Sequence, residues 1–288
     1  MEMLHYDFMQ RAFCAGGIIA LMASALGVYL LLRRQALMAD MLSHVSLAGV
    51  AAGACLGFNP TIAGFIAAVI GAIAVEVVRR AYKTYSELSV AIIMVGGLSV
   101  AMILMSLNKT MNKSFSSYLF GSVVAVTRTE LIYMSAAAIV GTVFFLFLRR
   151  PLYLMAFDEE SAKTSGVPVQ WISLGFSIVT GMIVAASMPI VGVLLVSSLI
   201  ILPAALSIRI ATSFTSAILA AMGIGLIGTG TGLTASYELN TPPGGTIALV
   251  LLLFLVSGLS LKKMFVWIGS KRASKAKAKP TNMEVANT

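Results

Sequence analysis

The chain has 288 residues, of which 59% are hydrophobic and 11% charged, at a mean hydropathy of +0.96. Soluble domains carry roughly a quarter charged residues, so this composition excludes a water-soluble globular fold and points to an integral membrane protein. The formal charge of +9 then reports orientation across a bilayer, and no nucleic-acid partner is expected.

A hydrocarbon core of ~30 Å takes about 20 helical residues. The N-terminal MEMLHYDFMQRAF has no basic leader region and no small-residue cleavage site, so the first apolar run reads as a span. Spans are predicted near 12–32, 36–57, 60–78, 88–107, 130–148, 170–187, 190–208, 213–235 and 244–261. The fold class is therefore an all-α polytopic membrane protein of about nine transmembrane helices. Eight would result if 170–208 were one long tilted helix. A break at Met188-Pro189 and a length that spans twice, at ~1.5 Å per residue, favour two crossings.

Between the fourth and fifth spans, SFSSYLFGSVVAV (114–126) is too short to cross and reads as an interfacial or re-entrant helix. Glycine and alanine crowd GVAAGACLG (49–57) and MGIGLIGTGTG (222–232), which suits close helix packing in lipid. Cys14 and Cys55 have neither CxxC nor metal-ligand spacing and read as small packing residues. From Gly269 the chain reads GSKRASKAKAKPTNMEVANT, a basic low-complexity tail expected to be disordered and to lie on anionic membrane lipid. Residues 1–268 thus form a single transmembrane domain.

Sixteen of the twenty basic residues fall on one side of this arrangement, after the first, third, fifth and seventh spans and in the tail. The positive-inside rule makes that side cytoplasmic, the N-terminus external and the C-terminus internal. No GxxxxGK[ST] nucleotide cradle is present, so ATP hydrolysis, if it drives this protein, belongs to another polypeptide.

Two carboxylates lie inside predicted spans. Glu76 precedes Arg79 and Arg80 by three and four residues, which puts all three on one helix face and predicts a local ion pair. Asp40 stands apart, with His44 one turn further on and on the same face, towards mid-membrane. Ionisable groups at that depth mark a substrate or ion path by default. Carboxylate plus neutral imidazole suits Zn²⁺, Mn²⁺ or Fe²⁺, and two donors are too few for a tight site. A second protomer would complete the set. A proton relay through the pair is the competing functional reading, and an Asp–His hydrogen bond that glues helices is the structural one.

Several segments resemble one family along nearly the whole chain. LMADMLSHVSLAGVAAG is similar to the signature of the metal-ion permeases of bacterial ABC importers, the ABC-3 family, with Ala39 where a glycine is usual. SSYLFGSVVAVTRTEL looks like the YLFG segment of zinc-type members. VGVLLVSSLIILPAALSIRI and TPPGGTIALVLLLFLV resemble the family's C-terminal motifs. FDEESAKTSGVPV resembles its cytoplasmic ATPase-docking loop. There Asp158, Glu159 and Glu160 sit where a helix would start, suiting its dipole, and Gly166 and Pro168 stop it.

The resemblance implies a permease of the vitamin-B12-importer (type II) fold in the bacterial cytoplasmic membrane. It further implies a homodimer, two cytoplasmic ABC ATPase subunits and an external metal-binding protein. Asp40 and His44 match the family's metal-coordinating pair. Asp158, Glu159, Glu160, Ala162 and Gly166 match its coupling helix, near 158–167. The protein itself would be no enzyme and hold no permanent cofactor, with Zn²⁺ (or Mn²⁺) as transported substrate. Zinc is favoured because manganese-type members more often carry proline where Leu47-Ala48 falls. A manganese or iron permease of the same family, or a secondary metal or proton-coupled carrier, is the alternative. His5 could touch the delivered metal.

Overall fold

The computed structural model describes residues 7–81, 86–107, 112–122 and 127–277. His5 lies outside the described residues. Hydrocarbon offers no partner to backbone N–H and C=O groups, so apolar runs satisfy them internally as helices. The helices are α1 (Asp7–Leu32), α2 (Leu37–Cys55), α3 (Pro60–Ala81), α4 (Ser86–Leu107), α5 (Asn112–Phe120) and α6 (Arg128–Phe147). They continue as α7 (Arg149–Phe157), α8 (Glu159–Thr164), α9 (Val169–Val191), α10 (Val196–Ile210), α11 (Phe214–Leu239) and α12 (Pro243–Lys277). Among the described residues, eight helices are long and apolar enough to cross a membrane: α1, α2, α3, α4, α6, α9, α11 and α12.

The ninth predicted span is shorter than expected. Helix α10 has 15 residues, or ~22 Å at 1.5 Å per residue, which falls short of a bilayer core. The cause lies just before it. Helix α9 runs through Pro189 and ends at Gly192, whose φ is +82°. The next residues leave the helix, and the Val193 and Leu194 N–H groups donate to the Tyr118 and Leu119 carbonyls of α5. The Ser122 N–H donates to the Pro189 carbonyl. The predicted break at Met188-Pro189 therefore falls three residues later, and α5 is the short helix that it clips. Residues 123–126 of the predicted re-entrant segment lie outside the described residues.

Two ends can be told apart. Arg33, Arg79, Arg80 and Arg149 all bond at one of them, the basic end. There the Lys262 ammonium also donates to the Arg209 carbonyl, tying α12 to the end of α10. At the opposite end Thr61 donates to Glu130 at 3.2 Å, and the start of α12 abuts Val191 and Phe120. With α10 counted as a passage from the clip back to the basic end, nine helices among the described residues run between the ends.

The centre is α1 and α9, whose apolar windows are 72% and 78% buried against 17% for α4, α6 and α12. At the basic end Tyr29 of α1 stacks on Phe145 of α6 at 5.0 Å and meets Phe214 of α11 edge-on at 5.2 Å. Offset and edge contacts of this kind add to the plain burial of the rings. Two expectations change. Cys14 and Cys55 are free and exposed, and the Cys55 thiol reaches the Leu104 carbonyl at 3.4 Å. The segment from Gly269 is not disordered at its start, because α12 continues to Lys277. Ala, Lys and Arg are strong helix formers, and SKRASKAK simply extends the helix that enters it.

Helix α2 lies close against α3 because both contribute small residues. A Cβ on Gly49 would collide with Ala67 and come within 2.6 Å of the Ala63 carbonyl. Gly49→Val is expected to lower the melting temperature of the purified protein, in line with an overpacking cost of about 1–3 kcal/mol. Gly223→Ala, whose added methyl meets nothing within 4 Å, serves as the control and should leave it unchanged.

Candidate functional site

Asp40 occupies the first turn of α2. Ala36, which precedes the helix, offers no side-chain cap, so the positive end of the helix dipole is left for the carboxylate to balance. The Ser43 hydroxyl bonds back to the Asp40 carbonyl at 2.7 Å. Met38, Ala39, Met41 and Leu42 are buried in the core that α2 shares with α1 and α9. Asp40, His44, Ala48 and Ala52 are only half-buried. Their spacing of four makes them one row along the helix. The predicted shared face for Asp40 and His44 is thus present, and it is an open stripe on a helix most of whose other residues from Met38 to Gly53 are buried.

His44 Nδ1 is buried and has no hydrogen-bond partner, so the Asp–His glue is not made through that atom. Among the described residues no group of three or more His, Cys, Asp or Glu side chains could hold a metal. One chain thus supplies a carboxylate and an imidazole one turn apart, a pair able to touch a borderline divalent ion without trapping it. Next to His44, Val45 is received between Gly71 of α3 and Gly97 of α4, which fixes this part of α2 against both neighbours.

The second predicted constellation is α8. Asp158 is its N-cap, accepting from the Glu160 and Ser161 N–H groups at 3.0 and 3.1 Å. The Ser161 hydroxyl, followed by these N–H groups, holds the Asp158 carboxyl below the usual carboxylate range. At the other end the Val167 N–H returns to the Ala162 carbonyl and the Gly166 N–H to that of Lys163. This paired closure needs a left-handed residue, and Gly166 has φ +81°. Asp158, Glu160 and Gly166 are exposed and Glu159 half-buried, paired with Lys163 at 3.3 Å. Ala162, expected to belong to an external docking surface, is fully buried in the core with Leu152, Met155 and Val169. It anchors α8 to its own chain. A cavity of about 600 Å³ lies nearby between α7 and the start of α11, where Arg149 donates to Thr215 at 2.8 Å.

Glu76 does pair with Arg79 and Arg80, at 3.0 and 3.6 Å. Its side chain is nearly fully buried, and the ion pair is not local. Ser173 and Ser177 of α9 donate to its second oxygen at 3.3 and 3.4 Å. Arg79 and Arg33 both donate to the Ser173 hydroxyl, at 2.7 and 2.9 Å. Arg33 also lies over the Phe176 ring at 4.8 Å. Burial first, then Arg79, lower its pKa to about 10, so it stays charged near neutrality. In the sequence Arg33 reads only as an orientation signal, and Ser173 is not singled out. Nothing in local spacing joins residues 140 positions apart.

The sequence matches the ABC 3 transport family over residues 5–262. It is 35% identical over 264 residues to a "Probable metal transport system membrane protein" of Treponema pallidum, covering 91% of this chain and 98% of that one. A manganese transport system membrane protein of Halalkalibacterium halodurans is 26% identical, with coverage of 86% and 85%. A high-affinity zinc uptake system membrane protein of Haemophilus influenzae is 28% identical, with coverage of 85% and 94%. Among solved structures, PsaBC from Streptococcus pneumoniae in complex with Fab superposes with a TM-score of 0.79 at 26% identity, covering 89% of this chain and 93% of that one.

The capping geometry of α8 has a measurable consequence. Asp158→Ala should speed amide exchange across Glu159–Thr164, while Asp158→Asn, which keeps an acceptor, should largely preserve protection. The Asp158 carboxyl is lowered in the folded state. Its contribution is therefore fully present above the ordinary carboxylate range and lost as pH falls through the lowered value. Hydrogen exchange followed against pH should show protection of α8 failing only in that acid window.

Proposed function

The chain belongs to the ABC 3 transport family, and we propose that it is the membrane permease of an ATP-driven importer carrying a divalent transition metal, Zn²⁺ foremost, across a bacterial cytoplasmic membrane. One observation carries this reading. Asp40 and His44 lie on an open stripe of α2, with the buried Nδ1 of His44 unpartnered. Intramembrane ionisable groups placed this way are expensive unless they serve a path. A second copy of the chain facing the same stripe would bring two carboxylates and two imidazoles together. Four such donors suit Zn²⁺ and also admit Mn²⁺ and Fe²⁺.

The same reading places the basic end in the cytoplasm, the N-terminus outside and the C-terminus inside. Helix α8, with Asp158, Glu160 and Gly166 exposed, would seat on a separate ATPase subunit, one per copy. A metal-binding protein would deliver the ion at the opposite end. Zinc is preferred for the YLFG and SLAG segments. Relatives named for manganese and for zinc are similar to this chain to nearly the same extent, so the cargo is decided by competition.

The test is uptake of ⁶⁵Zn²⁺ and ⁵⁴Mn²⁺ into vesicles holding the permease, its ATPase and its binding protein. Asp40→Ala and His44→Ala should each cut uptake more than about tenfold, the smaller loss known for disturbing even an outer-shell partner of a metal. Assembly with the ATPase should be kept. Normal transport by both variants would remove the pair from the path. Uptake that persists without ATP and collapses with the proton gradient would replace the importer with a secondary carrier.

A further inference from the structure

We propose that the buried cluster of Arg33, Glu76, Arg79 and Ser173 is a transmission element: it passes movement of α8 to α2 and so sets how many metal ions cross per ATP hydrolysed. This rests on the permease reading above. It assigns positioning roles to four residues that touch neither metal nor nucleotide.

The cluster joins the pieces that such transmission needs. Glu76 and Arg79 belong to α3, Ser173 to α9, and Arg33 to the turn between α1 and α2. The Ser173 hydroxyl is the hub, receiving Arg33 at 2.9 Å and Arg79 at 2.7 Å and lying 3.3 Å from Glu76. Arg80 adds a bond to the Gln170 carbonyl at 3.0 Å, on the first turn of α9. On one side, α8 is tied to that turn. Ala162, Val169 and Ile172 are buried in one core, and the link between the helices is closed by the Gly166 turn. The charge of Glu159, on α8 itself, is close enough to act on Arg33. On the other side, Arg33 is followed by a tight turn into α2. The Arg33 N–H returns to the Tyr29 carbonyl at 3.0 Å and that of Gln35 to Leu30 at 2.8 Å, with Arg34 at φ +57°. Asp40 is in the first turn of the helix this hairpin leads into. A displacement of Arg33 therefore reaches the metal pair through a short, stiff connection.

A cluster serving only as glue would have its buried groups satisfied. This one does not. Arg33 Nη1 and Gln35 Oε1 are both buried and both lack a partner. A spare donor and a spare acceptor on the turn give the network bonds to exchange without first breaking Glu76 from Arg79. Two bonding arrangements of nearly equal energy are what a two-state coupling element requires.

The experiment uses the whole complex of permease, ATPase and binding protein in liposomes, and reads the ratio of Zn²⁺ imported to ATP hydrolysed. Arg33→Gln and Ser173→Ala remove the hub bonds and leave the Glu76–Arg79 pair. Each should lower the ratio by about threefold or more, the scale of coupling changes along such networks. Assembly, melting temperature and basal ATPase rate should stay close to the starting protein. Arg33→Lys, which keeps the charge but not the planar fork of donors, should fall between. Assembled variants that keep the original ratio overturn the proposal, because the cluster is then structural only. Failure of both Arg33→Gln and Ser173→Ala to assemble overturns it too, by making the cluster fold glue. An unmutated complex that hydrolyses ATP and imports no divalent metal overturns the permease reading, and this inference with it, before any variant is compared.

Discussion

The carboxylate of Glu76 is almost removed from solvent, and the basic end of the molecule is organised by the need to satisfy it. Stranding such a group without its partners costs about 3–5 kcal/mol. A single arginine on the same helix would meet the Coulombic need and leave lone pairs open. The structure instead brings α9 alongside, so that Ser173 and Ser177 fill the remaining positions. That approach draws in Arg33, because Ser173 is shared. Once α1, α3 and α9 are fixed at this point, the aromatic group around Tyr29 can close over them. Phe145 and Phe214 then bring α6 and α11 to the same end.

Two ionisable arrangements in one chain differ in how far they are satisfied. Around Glu76 the acid has more bonding partners than one ion pair would give. At Asp40 and His44, along α2, the pair is left short of donors, and His44 Nδ1 is unpartnered. A structural metal site closes its coordination shell, whereas a conduit must release what it binds. On the permease reading proposed above, the pair left short of donors would be the one that handles cargo. The turn at Arg33 joins the two, since it leads from the Glu76 cluster into the helix that carries Asp40.

Much of this could be read from the residues alone, and the failures have a common cause. The apolar runs announced the long helices because hydrocarbon leaves the backbone no alternative. The row carrying Asp40 and His44 followed from a spacing of four, and the Glu76 pair from spacings of three and four. The start and stop of α8 were visible in Asp158 and Gly166, whose roles are local. What failed was tertiary. Pro189 looked like a helix break, yet the helix passes it and stops where Gly192 turns and α5 offers carbonyls to Val193 and Leu194. Ala162 carries no mark of facing inward. Arg33 reads as one of many basic residues that set orientation, and only the fold brings it to Ser173. The helical start of the tail was missed for a different reason: composition was read where propensity decided.

The open stripe of α2 constrains what lies against it. Helices α4, α6 and α12 also present uncovered faces, but those carry Ile92, Ile103, Ile132, Phe147 and Leu253, side chains that lipid accepts at no cost. Lipid against Asp40 and His44 would impose the penalty that keeps ionisable residues out of helix surfaces. The stripe must therefore face protein or water. Ala48 and Ala52, which continue the row, are too small to fill the space beside them, and small residues either let another helix approach or leave room along the helix. In the proposed homodimer a second copy would meet this stripe across an axis and satisfy both conditions. The paired carboxylates and imidazoles would line a narrow polar passage, with alanines leaving room beyond His44. Selectivity in such a passage rests on donor softness and spacing rather than on affinity.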